Sequence, residues 1–128
     1  MNDILLSIGP KYAELILNGK KTIELRKSAP KKQVGWVYLY ATAPVKKVVG
    51  RIKILDFMSG KNFSITLKGI CITETEFNNY VGDKFYSLWV IDDAYLQRCS
   101  MELSEFNLKR PPQSWCYVTT KGERKWLK

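Results

Sequence analysis

Hydrophobic positions along this chain switch between two periods, and the switches mark its elements. Asp3–Ile8 is a short apolar run that reads as a strand, and Gly9-Pro10 then opens a helix, with proline where its missing N–H is harmless. Tyr12, Leu15 and Ile16 recur at helical spacing until Asn18-Gly19 supplies a left-handed stop. A second strand is expected over Lys21–Lys27, a basic loop over 28–34, and a third strand from Gly35 over Trp36–Ala41. Lys47–Phe57 alternates with period two: Arg51, Lys53 and Asp56 are polar, while Ile52, Ile54 and Phe57 are apolar. Residues 59–68 read as a loop with room for a short strand. Thr73 with Glu76 three residues on is a capping box for a short helix ending near Tyr80–Gly82. Phe85–Ile91, apolar on both faces, reads as a central strand. Met101–Phe106 is a strand or a turn, and Gln113–Val118 a last strand after Pro111-Pro112. This pattern predicts an α+β, mainly β, barrel-like domain of about six strands with two or three short helices. The expected division is a domain over 1–118 and a basic, frayed tail over 119–128.

At 128 residues, 45% hydrophobic and 26% charged, the chain has the profile of one ordinary globular domain. No apolar run approaches the ~20 residues of a membrane span or makes a signal-peptide core, which points to a cytoplasmic protein. Cys71, Cys99 and Cys116 are widely spaced and read as small apolar core residues. With no histidine in the chain, neither a metal site nor a cofactor is indicated, and any proton transfer rests on other side chains.

The net charge of +9 is segregated. Residues 73–106 carry seven acids against two bases, which leaves nineteen bases against five acids elsewhere. That asymmetry favours a polyanionic partner, nucleic acid before others, because each neutralised phosphate releases counterions. Lys46, Lys47, Arg51 and Lys53 form a run without acids that suits phosphate contacts as well as plain solvation.

The densest chemistry lies in Gly-Lys-Lys-Thr-Ile-Glu-Leu-Arg, residues 19–26. Strand alternation places Thr22, Glu24 and Arg26 on one face, where Glu24 and Arg26 can pair or share a ligand. Lys21 falls in the opposite register, although an irregular strand start after glycine lets it reach the same side. Arginine's planar fork and a carboxylate acceptor suit recognition of a base edge. Thr42, ahead of Pro44, is a candidate cleft hydroxyl. Trp36, Tyr38 and Tyr40 share one strand face and read mostly as core, as does Tyr12.

The segments Ser-Ile-Gly-Pro-Lys-Tyr-Ala-Glu-Leu-Ile-Leu-Asn-Gly-Lys-Lys-Thr-Ile-Glu-Leu-Arg (7–26), Val-Tyr-Leu-Tyr-Ala-Thr-Ala-Pro-Val-Lys-Lys-Val-Val-Gly (37–50) and Lys-Arg-Pro-Pro-Gln-Ser-Trp-Cys-Tyr-Val (109–118) resemble, in that order, the ASCH family of the PUA-like superfamily. The resemblance implies a small β-barrel and a cleft between barrel and first helix that binds RNA or a modified nucleoside. Lys21, Glu24 and Arg26 would floor it, with Lys20 and Thr22 beside them and Lys11 at the entrance. Gln113, Ser114 and Trp115 of the closing motif would line it, Trp115 offering a stacking face. One branch of the family is similar to amidohydrolases that deacetylate N4-acetylcytidine through a Lys, a Thr and a Glu. The Lys matches Lys21, the Thr position holds Glu24 here, and Glu74 or Glu76 stands in the region of the Glu. Glu24 could then serve as a base toward water. Another branch has ribonuclease activity. Three readings follow: a binder of RNA or a modified nucleoside, an amidohydrolase using Lys21 and a Glu, and a protein-interaction module that uses the acidic patch.

Overall fold

The computed structural model describes residues 1–61 and 67–119, so the expected basic tail beyond 119 lies outside the described residues. Six strands occur there: β1 (Asn2–Ile8), β2 (Ile23–Arg26), β3 (Val34–Ala41), β4 (Lys47–Gly60), β5 (Tyr86–Met101) and β6 (Trp115–Val118). Two helices accompany them, α1 (Pro10–Leu17) and α2 (Glu74–Val81), with a 3-10 turn at Leu103–Phe106. They form one sheet in the order β2-β5-β4-β3-β1-β6, in which β1 and β3 run parallel and every other pair is antiparallel.

The sheet curls until its two ends meet. Trp89 of β5 packs edge-on against Trp115 of β6 at 6.2 Å between ring centroids, although four ladders separate these strands. Among the described residues no ladder joins β2 to β6; Arg26 bridges that seam with its side chain instead. The fold is thus the expected mainly β domain, barrel-like in shape but open in its backbone hydrogen bonding.

Alternation sorts the core. Ile4, Leu6, Ile8, Val37, Leu39, Ile52 and Trp89 gather on the inner face, covered by Ala13 and Ile16 of α1. Each such aliphatic side chain contributes about 1.5–3 kcal/mol on burial. Leu5, Tyr38, Tyr40, Val48, Met101 and Phe106 form a second cluster on the opposite face, as expected for the two tyrosines. Leu25, Ile70, Val81, Tyr86 and Leu88 form a third, under α2. Gly50 is where α1 meets the sheet: a Cβ there would stand 2.7 Å from both Leu17 Cδ2 and the Tyr95 carbonyl.

The helix signals were sound. Pro10 stands at the start of α1, and Gly19 at φ +84° turns the chain after Asn18. The Thr73–Glu76 capping box starts α2, and Gly82 ends it. Two expectations change. β5 continues ten residues past Ile91, because Asp93 pairs across strands with Lys53 on a polar face and the sheet does not need apolar alternation there. Met101 closes that strand, and the 3-10 turn follows it. Cys71 and Cys116 are free thiols at half-buried positions, Cys71 in a left-handed turn at φ 62° and Cys116 packed against the second cluster; the Cys99 side chain lies outside what is described.

Candidate functional site

Lys21 is positioned by the turn that ends α1. Its backbone N–H donates to the Leu15 carbonyl, and regular strand structure begins only at Ile23, so alternation does not govern its direction. The side chain is 3% exposed; its ammonium donates to the Ile70 carbonyl and lies 3.3 Å from Glu24 Oε1. Glu24 stands opposite Trp89 in the β2–β5 ladder and therefore points to the inner face. Its second oxygen, Oε2, accepts from Arg26 Nε at 2.8 Å and lies 2.7 Å from Nη2. Arg26 also donates from Nη2 to the Ser7 carbonyl at 2.9 Å and from Nη1 to Ser114 Oγ at 3.2 Å. One carboxylate thus neutralises one of two buried cations. Burying these charges is tolerable because each is paired and hydrogen-bonded.

The triad floors a cavity of about 420 Å³ at the seam of the sheet. Ser7, Ile8, Gly9 and Thr42 line it from the ends of β1 and β3, and Tyr12 from α1. Ile70 and Ile72, with Glu76 and Tyr80 of α2, close the other side, and Gln113 completes it. Gly69 clips the segment before α2 to the start of β2: its carbonyl accepts the N–H groups of Thr22 and Ile23 at 2.8 and 3.1 Å.

Of the residues singled out in the sequence, Lys21, Glu24, Arg26, Thr42 and Gln113 come together in this lining, and Ser114 joins through Arg26. The others do not line it. Thr22 is exposed and precedes β2, while Lys20 is exposed with its N–H on Asn18 Oδ1. Lys11 is exposed beside Tyr12. Lys46 is an exposed turn residue, Lys47 pairs at the surface with Glu102 at 3.2 Å, and Arg51 lies over the Trp36 ring at 3.6 Å. Glu74 begins α2, is exposed and is not part of the lining; Glu76, two residues on, is the helix carboxylate that lines the cavity. Trp115 is half-buried, edge-on to Trp89 and Tyr117, with its indole N–H on Ser28 Oγ at 3.3 Å.

Tyr12 and Tyr80 are the lining residues that sequence reasoning did not place in the cleft, whereas Glu76 was named beside Glu74. Helical spacing offered a signal for Tyr80, since Glu76 and Tyr80 are four apart and share a helix face. The Thr73 N–H and hydroxyl hold the Glu76 carboxyl below its ordinary value, and the Lys11 charge adds to this. Burial raises the Tyr80 phenol, and the Glu24 charge raises it further, while Arg26 and the Lys27 N–H oppose. Among the described residues no group of three His, Cys, Asp or Glu side chains could hold a metal ion. No helix among them is long and apolar enough to cross a membrane.

Comparison with known proteins bears on the family and the fold. The ASCH domain family model matches residues 6–92. Large ribosomal subunit protein uL22 of Ureaplasma parvum is 31% identical over 121 residues, which cover 90% of this chain and 39% of that protein. The chain therefore spans about two fifths of that relative's length. An ASCH domain-containing ribonuclease of Zymomonas mobilis is 39% identical over 49 residues, 38% of this chain and 33% of the relative. The crystal structure of ASCH from Zymomonas mobilis superposes with a TM-score of 0.80 at 25% identity, covering 91% of this chain and 87% of that one.

Proposed function

The chain belongs to the ASCH domain family, and on that premise we propose that the cleft binds RNA, or a modified nucleoside, on the floor made by Lys21, Glu24 and Arg26. The observation that carries this reading is the hydrogen-bond count of the floor. Arg26 has five N–H donors; three make hydrogen bonds, to Glu24, Ser7 and Ser114, and Nη2 makes a further ion-pair contact with Glu24. Lys21 has three and uses two, on Ile70 and Glu24. Among the described residues this leaves one donor on each cation without an oxygen partner, which a carbonyl or phosphate oxygen of a ligand would take. Glu24, with both oxygens engaged, holds the two cations in place. The net charge of +9 supports a polyanion as the source of that oxygen.

The test is fluorescence anisotropy with a ten-nucleotide single-stranded RNA over 50–200 mM salt, comparing the wild type with Lys21→Ala. Affinity should fall as salt rises. Loss of one charge-assisted bond, about 1.5–3 kcal/mol, should weaken Lys21→Ala by about 10- to 150-fold with an unchanged circular dichroism spectrum. Salt-independent binding, or a variant that binds as well as wild type, would overturn the reading.

A second reading is hydrolysis: of RNA, favoured by the likeness to the Zymomonas ribonuclease, or of an acylated cytidine, which rests on the match of Lys21 to the amidohydrolase branch. Both Glu24 oxygens are engaged by the two cations, so we assign that work to Glu76, the other carboxylate of the lining. Incubating N4-acetylcytidine with the protein and following ultraviolet absorbance decides the acylated case. Conversion that fails in Lys21→Ala and Glu76→Gln supports an enzyme, and a flat trace removes it.

A further inference from the structure

α2 buries very little. Val81 is its one buried residue and Phe77 is half-buried; these two, four apart, seat the helix. Phe77 packs edge-on against the Tyr86 ring at 5.5 Å, and Val81 enters the cluster of Leu25, Ile70 and Leu88. Glu76 and Tyr80, also four apart, form the neighbouring stripe and line the cleft. An eight-residue helix has little stability of its own, so its presence rests on that seat and on the capping box. What it presents to the cavity is a carboxylate and an aromatic ring.

The ring is available in a way that the other cleft aromatics are not. Tyr80 is 40% exposed. Trp115 is committed edge-on to two other rings and does not line the cavity. Tyr12 is half-buried, with the ammonium groups of Lys21 and Lys11 over its ring at 5.5 and 5.7 Å. Tyr80 carries only Lys27, an exposed lysine 5.4 Å from its centroid, and a ring has two faces. The ring lines the cavity as an apolar wall over a polar floor.

We propose that Tyr80 is the stacking platform of this cleft and takes the face of one unpaired base, so that the ligand class is single-stranded RNA rather than duplex. The proposal rests on the reading of the cleft as an RNA site and narrows it. Inside a duplex both faces of a base are covered by its neighbours, and a side chain reaches it only by unstacking it. A cavity of about 420 Å³ is of a size that holds one small-molecule ligand, and therefore one splayed-out nucleoside. The neutral phenol adds no charge to repel the phosphates on either side. Stacking on an aromatic ring tolerates any base, so Tyr80 supplies affinity without sequence preference and leaves discrimination to the polar floor.

The experiment is anisotropy at one fixed salt concentration with a ten-nucleotide single-stranded RNA and with the same sequence as a duplex. Wild type, Tyr80→Leu, Tyr80→Phe and Lys21→Ala are compared. The single strand should bind more tightly than the duplex. Loss of one stacked base, about 1–3 kcal/mol, should weaken Tyr80→Leu for the single strand by about 5- to 150-fold. Tyr80→Phe, which keeps the ring, should restore most of that loss. Wild-type affinity in Tyr80→Leu, with Lys21→Ala weakened, overturns the stacking role and leaves the cleft reading intact. Wild-type affinity in both overturns the cleft reading as well. A duplex that binds more tightly than the single strand, or a Tyr80→Phe as weak as Tyr80→Leu, also overturns the proposal.

Discussion

Replacing Glu24 with glutamine should reveal how the buried triad is held. The substitution keeps the shape and removes the charge, so Lys21 and Arg26 remain, 3% and 15% exposed, without a counter-ion. Removing one partner of a buried pair costs about 3–5 kcal/mol, because the remaining charge stays desolvated. In a domain of this size roughly 1 kcal/mol corresponds to about 3–5 °C in Tm, so a fall of about 10–20 °C is expected. The assay is urea and thermal unfolding of Glu24→Gln, Lys21→Met and the double variant. Lys21→Met leaves Glu24 its bonds to Arg26, so it should cost less than Glu24→Gln. The double variant should be more stable than the sum of the single losses predicts, with a coupling above about 1 kcal/mol. The surface pair Lys47–Glu102, with side chains 46% and 59% exposed, supplies the internal comparison. Its coupling should fall at about 0–1 kcal/mol. Equal couplings for the two pairs would refute the claim that burial makes the Lys21–Glu24 interaction matter.

Gly50→Ala should destabilise by about 1–3 kcal/mol in urea unfolding, since the new methyl meets the Tyr95 backbone carbonyl, which cannot swing aside; a neutral result would show that α1 rides loosely on β4. Thr73→Ala should lose about 1 kcal/mol by removing the cap of α2. The Glu76 carboxyl is held below its ordinary 4.5, so its stabilisation is present above that pH and is lost as pH falls below it. The stability gap between wild type and Thr73→Ala should therefore narrow in acid, and a gap that widens there would contradict the capping geometry.

What was legible in the sequence was local. Pro10, Asn18-Gly19 and the Thr73–Glu76 pair mark helix ends through chemistry contained within four residues, and each stood where it was read. Glu24 and Arg26 were legible because alternation along one strand fixes their common face. Lys21 was harder, since it precedes β2 and takes its direction from the turn after Gly19. Tyr12, Glu76 and Tyr80 reach the cleft from helices that share no register with β2, and only the curl of the sheet brings them there. The extension of β5 was hidden for a related reason: its polar outer positions answer to cross-strand partners on β4, which a single sequence does not display.

Arg26 closes the seam between β2 and the β1–β6 edge with its side chain, and the same guanidinium forms part of the cleft floor. On the proposed function, one residue therefore serves as both fastener and reader. A change that retunes recognition at that position also loosens the wall, so the floor has little freedom to diverge. α2 is under no such double duty, because its cleft stripe and its seating stripe are different residues. New ligand preferences on this scaffold should be sought, by evolution or by engineering, at Glu76 and Tyr80 rather than at the charges beneath them.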